Sequence, residues 1–161
     1  VLSTLHTNSA PETITRLLDL GLDPVNFSDA LLGVLAQRLM RTLCGKCKES
    51  YKPEEKELTH LIEQYGTEDF KTLGMKKDEI ELCRAVGCDA CGDSGYRGRT
   101  GVHELLVGTH ELQSMIYKKA ALTDLTEQAI KDGMRTLKQD GIHKIFQGLT
   151  DYEQLLRVIS Q

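Results

Sequence analysis

Two short stretches of this sequence can do chemistry by spacing alone. Cys44-Gly45-Lys46-Cys47 and Cys88-Asp89-Ala90-Cys91 are both C-x-x-C pairs. Two residues between ligands let both thiolates of a pair turn toward one ion, and the turn points backbone N–H groups at the sulfurs. Two such pairs make a closed four-thiolate set, tetrahedral and structural, with no position left open for water. The expected ligands of a structural Zn2+ are therefore Cys44, Cys47, Cys88 and Cys91. Two disulfides, or one redox-active pair, are the alternatives. A redox C-x-x-C usually opens a helix in a thioredoxin-like setting, and neither pair here reads that way. Cys83, five residues before Cys88, is either a competing ligand or a buried thiol of the alternating run "IELCRAV".

Beyond the thiols, "CGDSGYRGRTG" packs Gly92, Gly95, Gly98 and Gly101 around Arg97 and Arg99. It reads as a phosphate cradle or as tight turns leaving a metal knuckle. It lacks the Lys-Ser/Thr of a P-loop. Gly45-Lys46 fails the same test, because Cys47 stands where Ser or Thr is needed. Arg38 and Arg41 in "AQRLMRTLC" could share a helical face and meet phosphate, a neighbouring subunit or solvent. Of the five histidines, His60 and His143 read as surface or edge residues, and His103 has no metal-partner spacing. His6 sits at the end of an apolar run among Ser3, Thr4 and Thr7. Ligands of α/β sheets bind at strand ends, so His6 is either a ligand contact or a structural residue.

The elements that must position these groups follow from periodicity and caps. Val1 to Thr7 reads as a strand. Ser9-Ala10-Pro11-Glu12 is a capping-box pattern opening a helix with Ile14, Leu17 and Leu18, stopped by Gly21 and Pro24. A second helix is expected from about Ser28 to Ala36, with Leu31, Leu32 and Leu35 as its buried stripe. "QRLMRTLC" is either a strand or that helix's tail. From Cys44 to about Arg99 the chain is rich in charge. Inside it, "KPEEKELTHLIEQYG" predicts a helix with Pro53 at N1 and Leu58, Leu61, Ile62 and Tyr65 on one face. "EIELCRAV" and "RTGVHELLVG" read as strands. From Thr109 onward the pattern is helical, and Thr150-Asp151-Tyr152-Glu153 is a second capping-box match opening the last helix.

The totals set the class. The chain has 161 residues, 40% hydrophobic and 27% charged, with a net charge of −4. That suits one good-sized domain or two small ones, and it argues against nucleic acid as a partner, which leaves a basic excess. No apolar run reaches the roughly 18 residues that span a bilayer, and no signal peptide is expected. Five cysteines is an odd number, which fits cytosolic thiolates holding a metal better than a secreted disulfide framework.

Several stretches, in order along nearly the whole chain, resemble the secretion (traffic) ATPases that power type II secretion and type IV pilus assembly. They are "VLSTLHTNSAPETITRLLDLG", "LAQRLMRTLC", the paired C-x-x-C, "GYRGRTGVHELL" and "GMRTLKQDG". "LSTLHTN" is similar to that family's His box, and the match is to the C-terminal part. The resemblance implies a mainly α fold with short β segments (α+β). Residues 1–43 would be the remnant of a RecA-like P-loop ATPase core, 44–99 a tetracysteine zinc-binding lobe and 100–161 a small C-terminal helical subdomain. It further implies that His6 is an accessory catalytic residue near the γ-phosphate, with Thr4, Thr7 and Arg38 as nucleotide contacts.

The parent enzyme would use ATP and Mg2+. It would form a homo-hexamer at the cytoplasmic face of the inner membrane and act on an assembly-platform protein, with no nucleic acid involved. Ser9 stands where many relatives carry an acid. No Walker A lysine and no acidic Walker B strand are present, so this polypeptide by itself is expected not to hydrolyse ATP. The competing expectation is a stand-alone zinc-binding protein-interaction module.

Overall fold

The computed structural model describes residues 1–159. The fold is α+β, with eight α-helices and two small antiparallel sheets among the described residues. The chain divides into two compact units, each assembled from two stretches: 1–37 with 103–137, and 38–102 with 138–161.

In the first unit, helix α1 (Ala10–Asp19) starts where Ser9 accepts a hydrogen bond from the Glu12 N–H. The reciprocal half of the capping box is displaced by one residue: Glu12 accepts from the N–H of Asn8, not Ser9. Helix α1 packs on α6 (Leu122–Lys131), while α2 (Pro24–Ala30) packs on α5 (His110–Tyr117), which also meets α6. Ile14, Leu112, Ile116 and Leu125 form the core with Leu31, Ala36 and Leu106. Each large aliphatic side chain buried this fully contributes about 1.5–3 kcal/mol.

Strands β1 (Gly33–Leu43) and β4 (Tyr96–Val107) hydrogen-bond to each other. The N–H of Gly108 donates to Leu32 O at one end of the pair and that of Cys44 to Gly95 O at the other, so the strands are antiparallel. The helix expected over Ser28 to Ala36 is thus corrected: it ends at Ala30, and "QRLMRTL" is strand. The physical reason is close backbone approach. A Cβ at Gly33 would lie 2.8 Å from Leu106 O, and one at Gly108 2.1 Å from Leu31 O. Only Leu31 of the expected stripe is buried; Leu32 and Leu35 are exposed.

Val1 to Thr7 is not a strand, a second correction. It is irregular, and His6 is exposed. A strand needs a partner to satisfy its backbone groups, and no described strand lies beside this segment.

In the second unit, β2 (Glu49–Tyr51) pairs with β3 (Leu82–Arg84), with Ser50 opposite Cys83. Helix α3 (Glu55–Tyr65) buries Leu61, Ile62 and Tyr65 as expected, and Glu54 is its N-cap, so Pro53 lies outside the helix. Helices α4 (Thr67–Thr72), α7 (Leu137–Phe146) and α8 (Tyr152–Ile159) complete the helical set. Asp151, not Thr150, caps α8, accepting from the Gln154 N–H. Thr150 is fully buried and donates instead to Arg41 O. No described helix is long and apolar enough to cross a membrane.

Candidate metal centre

Strand β1 ends at Leu43, whose N–H donates to Leu149 O, and the next N–H, of Cys44, donates to Gly95 O. These bonds anchor the first knuckle. The N–H groups of Cys47 and Lys48 then fold back on Cys44 O, so the pair closes as a tight turn with Gly45 and Lys46 outward. The second knuckle is a 3-10 turn, Asp89–Cys91, in which the N–H groups of Cys91 and Asp93 both reach Cys88 O. Gly95 leaves it at φ +76°, and a Cβ there would meet Ala85 Cβ at 2.6 Å. Gly92 and Gly98 also take positive φ, so "CGDSGYRG" is built of tight turns.

These turns bring the four sulfurs together. Cys44 and Cys88 Sγ are 4.0 Å apart, Cys47 and Cys91 3.9 Å, and Cys88 and Cys91 3.8 Å. All four lie within 4.8 Å of one another. A tetrahedral ion with metal–sulfur bonds of about 2.3 Å requires an edge of about 3.8 Å. The spacing is far longer than a disulfide bond of about 2.05 Å, and the cysteines are free thiols. Three N–H groups point at sulfur: Gly87 to Cys47, Cys88 to Cys91 and Gly95 to Cys91. Such donors stabilise thiolate charge.

Protonation of the cluster is uneven. Burial pushes the Cys47 thiol up to about 11, against the Gly87 N–H and with the neighbouring thiols. Burial also acts upward on Cys91, but the N–H groups of Cys88 and Gly95 and the thiols of Cys88 and Cys47 outweigh it, and Cys91 is lowered to about 7. Cys91 is therefore a readier anion than Cys47, and a divalent cation would supply the positive charge that draws the proton from Cys47. Four thiolates at tetrahedral spacing are a donor set that can hold a metal such as zinc. Cys83 is not in the cluster; it is buried on β3 with its sulfur 3.5 Å from Ser50 Oγ.

The other expected site residues are scattered. His6 and Thr4 are exposed in the first unit, where Thr7 Oγ1 lies 2.6 Å from Thr13 Oγ1. Arg38 belongs to the second unit. The helical face expected for Arg38 and Arg41 is absent: three residues apart on a strand, they point to opposite sides. Arg41 lies 5.2 Å over the Tyr96 ring.

Sequence reasoning missed Glu104 as a structural centre. It is 4% exposed; its Oε1 accepts from the N–H of Ala10 at 2.7 Å and its Oε2 from that of Leu137 at 3.1 Å, the first residues of α1 and α7. Alternation could have found it, because Glu104 shares the inward face of Val102 and Leu106 on β4.

The model of a known family, described as type II/IV secretion system protein, matches residues 1–157. The type II secretion system ATPase E of Vibrio cholerae is 44% identical over the whole chain, which covers 30% of that protein. The type IV pilus assembly ATPase PilB of Thermus thermophilus is 41% identical over 97% of this chain, which covers 16% of it. The type II secretion system protein E of Pseudomonas aeruginosa is 42% identical over 98% of the chain and 29% of its own length. The chain thus spans between about a sixth and a third of these relatives.

Proposed function

The chain belongs to the type II/IV secretion system protein family, and on that footing we propose that it is the C-terminal part of a hexameric motor ATPase. The motor powers type II protein secretion or type IV pilus assembly. One observation carries this reading: identity of 41–44% runs over essentially the whole chain to proteins named as ATPases of both machines. The chain's own sequence holds no G-x-x-x-x-G-K-[ST] run, so residues 1–43, as the remnant of a RecA-like core, supply accessory parts only. Phosphoryl transfer depends on phosphate positioning, Mg2+ and water orientation. His6 senses the γ-phosphate of ATP through a charge-assisted hydrogen bond, with Thr4, Thr7 and Arg38 as nucleotide contacts.

Residues 44–99 form the zinc-binding lobe held by Cys44, Cys47, Cys88 and Cys91, and 100–161 the C-terminal helical subdomain. The motor works at the cytoplasmic face of the inner membrane on an assembly-platform protein. The exposure of His6 supports a role that depends on contacts outside its own segment.

The test is ATP turnover, read as phosphate release. Residues 1–161 alone turn over no ATP. In the full-length ATPase, His6→Ala lowers turnover by roughly tenfold or more with the zinc content and circular dichroism unchanged. Turnover by the isolated chain that disappears with His6→Ala overturns the division of labour. Unchanged turnover in the full-length variant returns His6 to a structural role.

A further inference from the structure

The second unit contains an open, solvent-facing cleft, distinct from the four-cysteine cluster in that the two share no residue. Its floor is aliphatic: Leu61, Leu82 and Ile145 are each 2% exposed, and Cys83 lies beside them. Its rim is aromatic and acidic. Tyr51 and Tyr152 stand on it with His60, whose ring meets Tyr152 edge-on at 5.5 Å. Glu57 and Asp151 complete it. No lysine or arginine is among the lining residues.

Both carboxylates are held in place by tyrosines. Tyr51 donates to Glu57 at 2.6 Å, and Tyr96 donates to Asp151 at 2.5 Å. A carboxylate has about four acceptor positions. Glu57 spends one on Tyr51, and Asp151 spends two, on Tyr96 and the Gln154 N–H. Each therefore keeps acceptor capacity for a further donor. Burial first, and then the adjacent carboxylate, pushes the hydroxyl pKa of Tyr51 and of Tyr96 upward, with Arg84 acting the other way on Tyr51. One ring of the rim already takes a cation: the Arg84 guanidinium lies 5.8 Å from the Tyr51 centroid, tethered by Glu49 at 2.9 Å.

We propose that this cleft receives a long basic side chain, arginine or lysine, from a partner polypeptide. The aliphatic floor takes the methylene stem, which long basic residues bury readily. Glu57 and Asp151 take the cationic head, and the tyrosine faces add cation–π attraction. A purely apolar occupant would leave two carboxylates facing its edge, and an acidic one would be repelled. Charge complementarity therefore selects the basic side chain.

The experiment uses the full zinc-loaded chain and Nα-acetyl-arginine methylamide as probe, followed by amide chemical shifts. Two controls separate the contributions: the citrulline analogue keeps the shape without the charge, and the norleucine analogue keeps only the stem. Saturable shifts confined to the neighbourhood of Tyr51, His60, Cys83 and Tyr152, with arginine bound at least about fivefold tighter than citrulline, support the proposal. Glu57 is exposed on the first turn of α3, so Glu57→Gln leaves the fold intact and weakens the arginine probe by about threefold or more. Equal affinity for norleucine or citrulline overturns the proposal, as do shifts that never saturate or that lie elsewhere, or an arginine affinity untouched by Glu57→Gln.

Discussion

The cysteine knuckles and the His6 segment are both short polar stretches, and they differ in what holds them. Each knuckle folds back on its own first carbonyl, Cys44 O or Cys88 O, and three backbone N–H groups are aimed at sulfurs of the pair of knuckles, one at Cys47 and two at Cys91. Distant stretches add to that: Cys44 is tied to Gly95, and Leu43 to Leu149. His6 lies in an exposed segment without regular structure, and the residues that follow it bond close by in sequence, Thr7 to Thr13 and Asn8 to Glu12. A site whose partners all lie within one compact unit assembles from that unit. A residue whose proposed partner is a bound anion acquires its geometry only with that anion and the surface that presents it.

The largest effect tests the first half of the contrast. Apparent zinc binding in small metal-dependent domains is worth about 10–16 kcal/mol at pH 7, and one ion on Cys44, Cys47, Cys88 and Cys91 would tie two knuckles that are remote in sequence. Cys44→Ser is expected to abolish the one bound zinc, measured by elemental analysis, and to lower the melting temperature by roughly 10 °C or more. Unchanged zinc and unchanged melting dissolve the site assignment. Zinc affinity is also expected to rise with pH. Cys47 at about 11 holds its proton at neutral pH and must release it to bind, so the metal-bound state carries fewer protons than the metal-free one. Proton release on binding makes affinity fall as pH falls. A chelator competition run at about pH 6 and about pH 8 should show tighter binding at the higher pH; the reverse order contradicts thiolate ligation.

How much of this was legible follows from the range of the interactions. The cysteine spacing, the one-sided faces of α1 and α3, and the strand "RTGVHELLVG" are local patterns, and they are present as read. The family itself was legible from ordered motifs, and the match over residues 1–157 bears that out. The errors fall where tertiary pairing decides. Leu31, Leu32 and Leu35 look helical in sequence, yet α2 ends at Ala30 and the approach of Leu106 O to Gly33 accompanies a strand that starts there. Thr150 fits a capping box, yet Arg41 O claims its hydroxyl and Asp151 takes the cap. Alternation along β4 places Glu104 on the inward face, but its partners are not legible locally because both donors, Ala10 and Leu137, are remote in sequence.

Glu104 supplies the intermediate case between knuckle and irregular segment, a fixed polar centre made without metal. Its two oxygens neutralise the positive ends of α1 and α7, and both hydrogen bonds are charge-assisted. Glu104→Ala leaves two N–H groups without their acceptor and opens a cavity. A loss of about 2–4 kcal/mol is expected, measured by urea unfolding with zinc content unchanged. A loss below about 0.5 kcal/mol would mean that water replaces the carboxylate at no cost and that the centre is ornamental to stability.

The smallest expected effect is the sharpest on the second half of the contrast. His6→Ala removes an exposed imidazole from an irregular segment, and surface changes of this kind stay within about 0.5 kcal/mol. Urea unfolding of the chain should therefore not distinguish the variant from the wild type. That silence is informative because of what it is compared with. If His6 were a satisfied structural histidine, its loss would register in the unit that contains α1, as the loss of Glu104 does. If it acts on a phosphate, stability ignores it and only turnover in the full-length ATPase responds. A measurable destabilisation in the isolated chain would transfer His6 to the same class as Glu104 and remove the reason for assigning it a nucleotide at all.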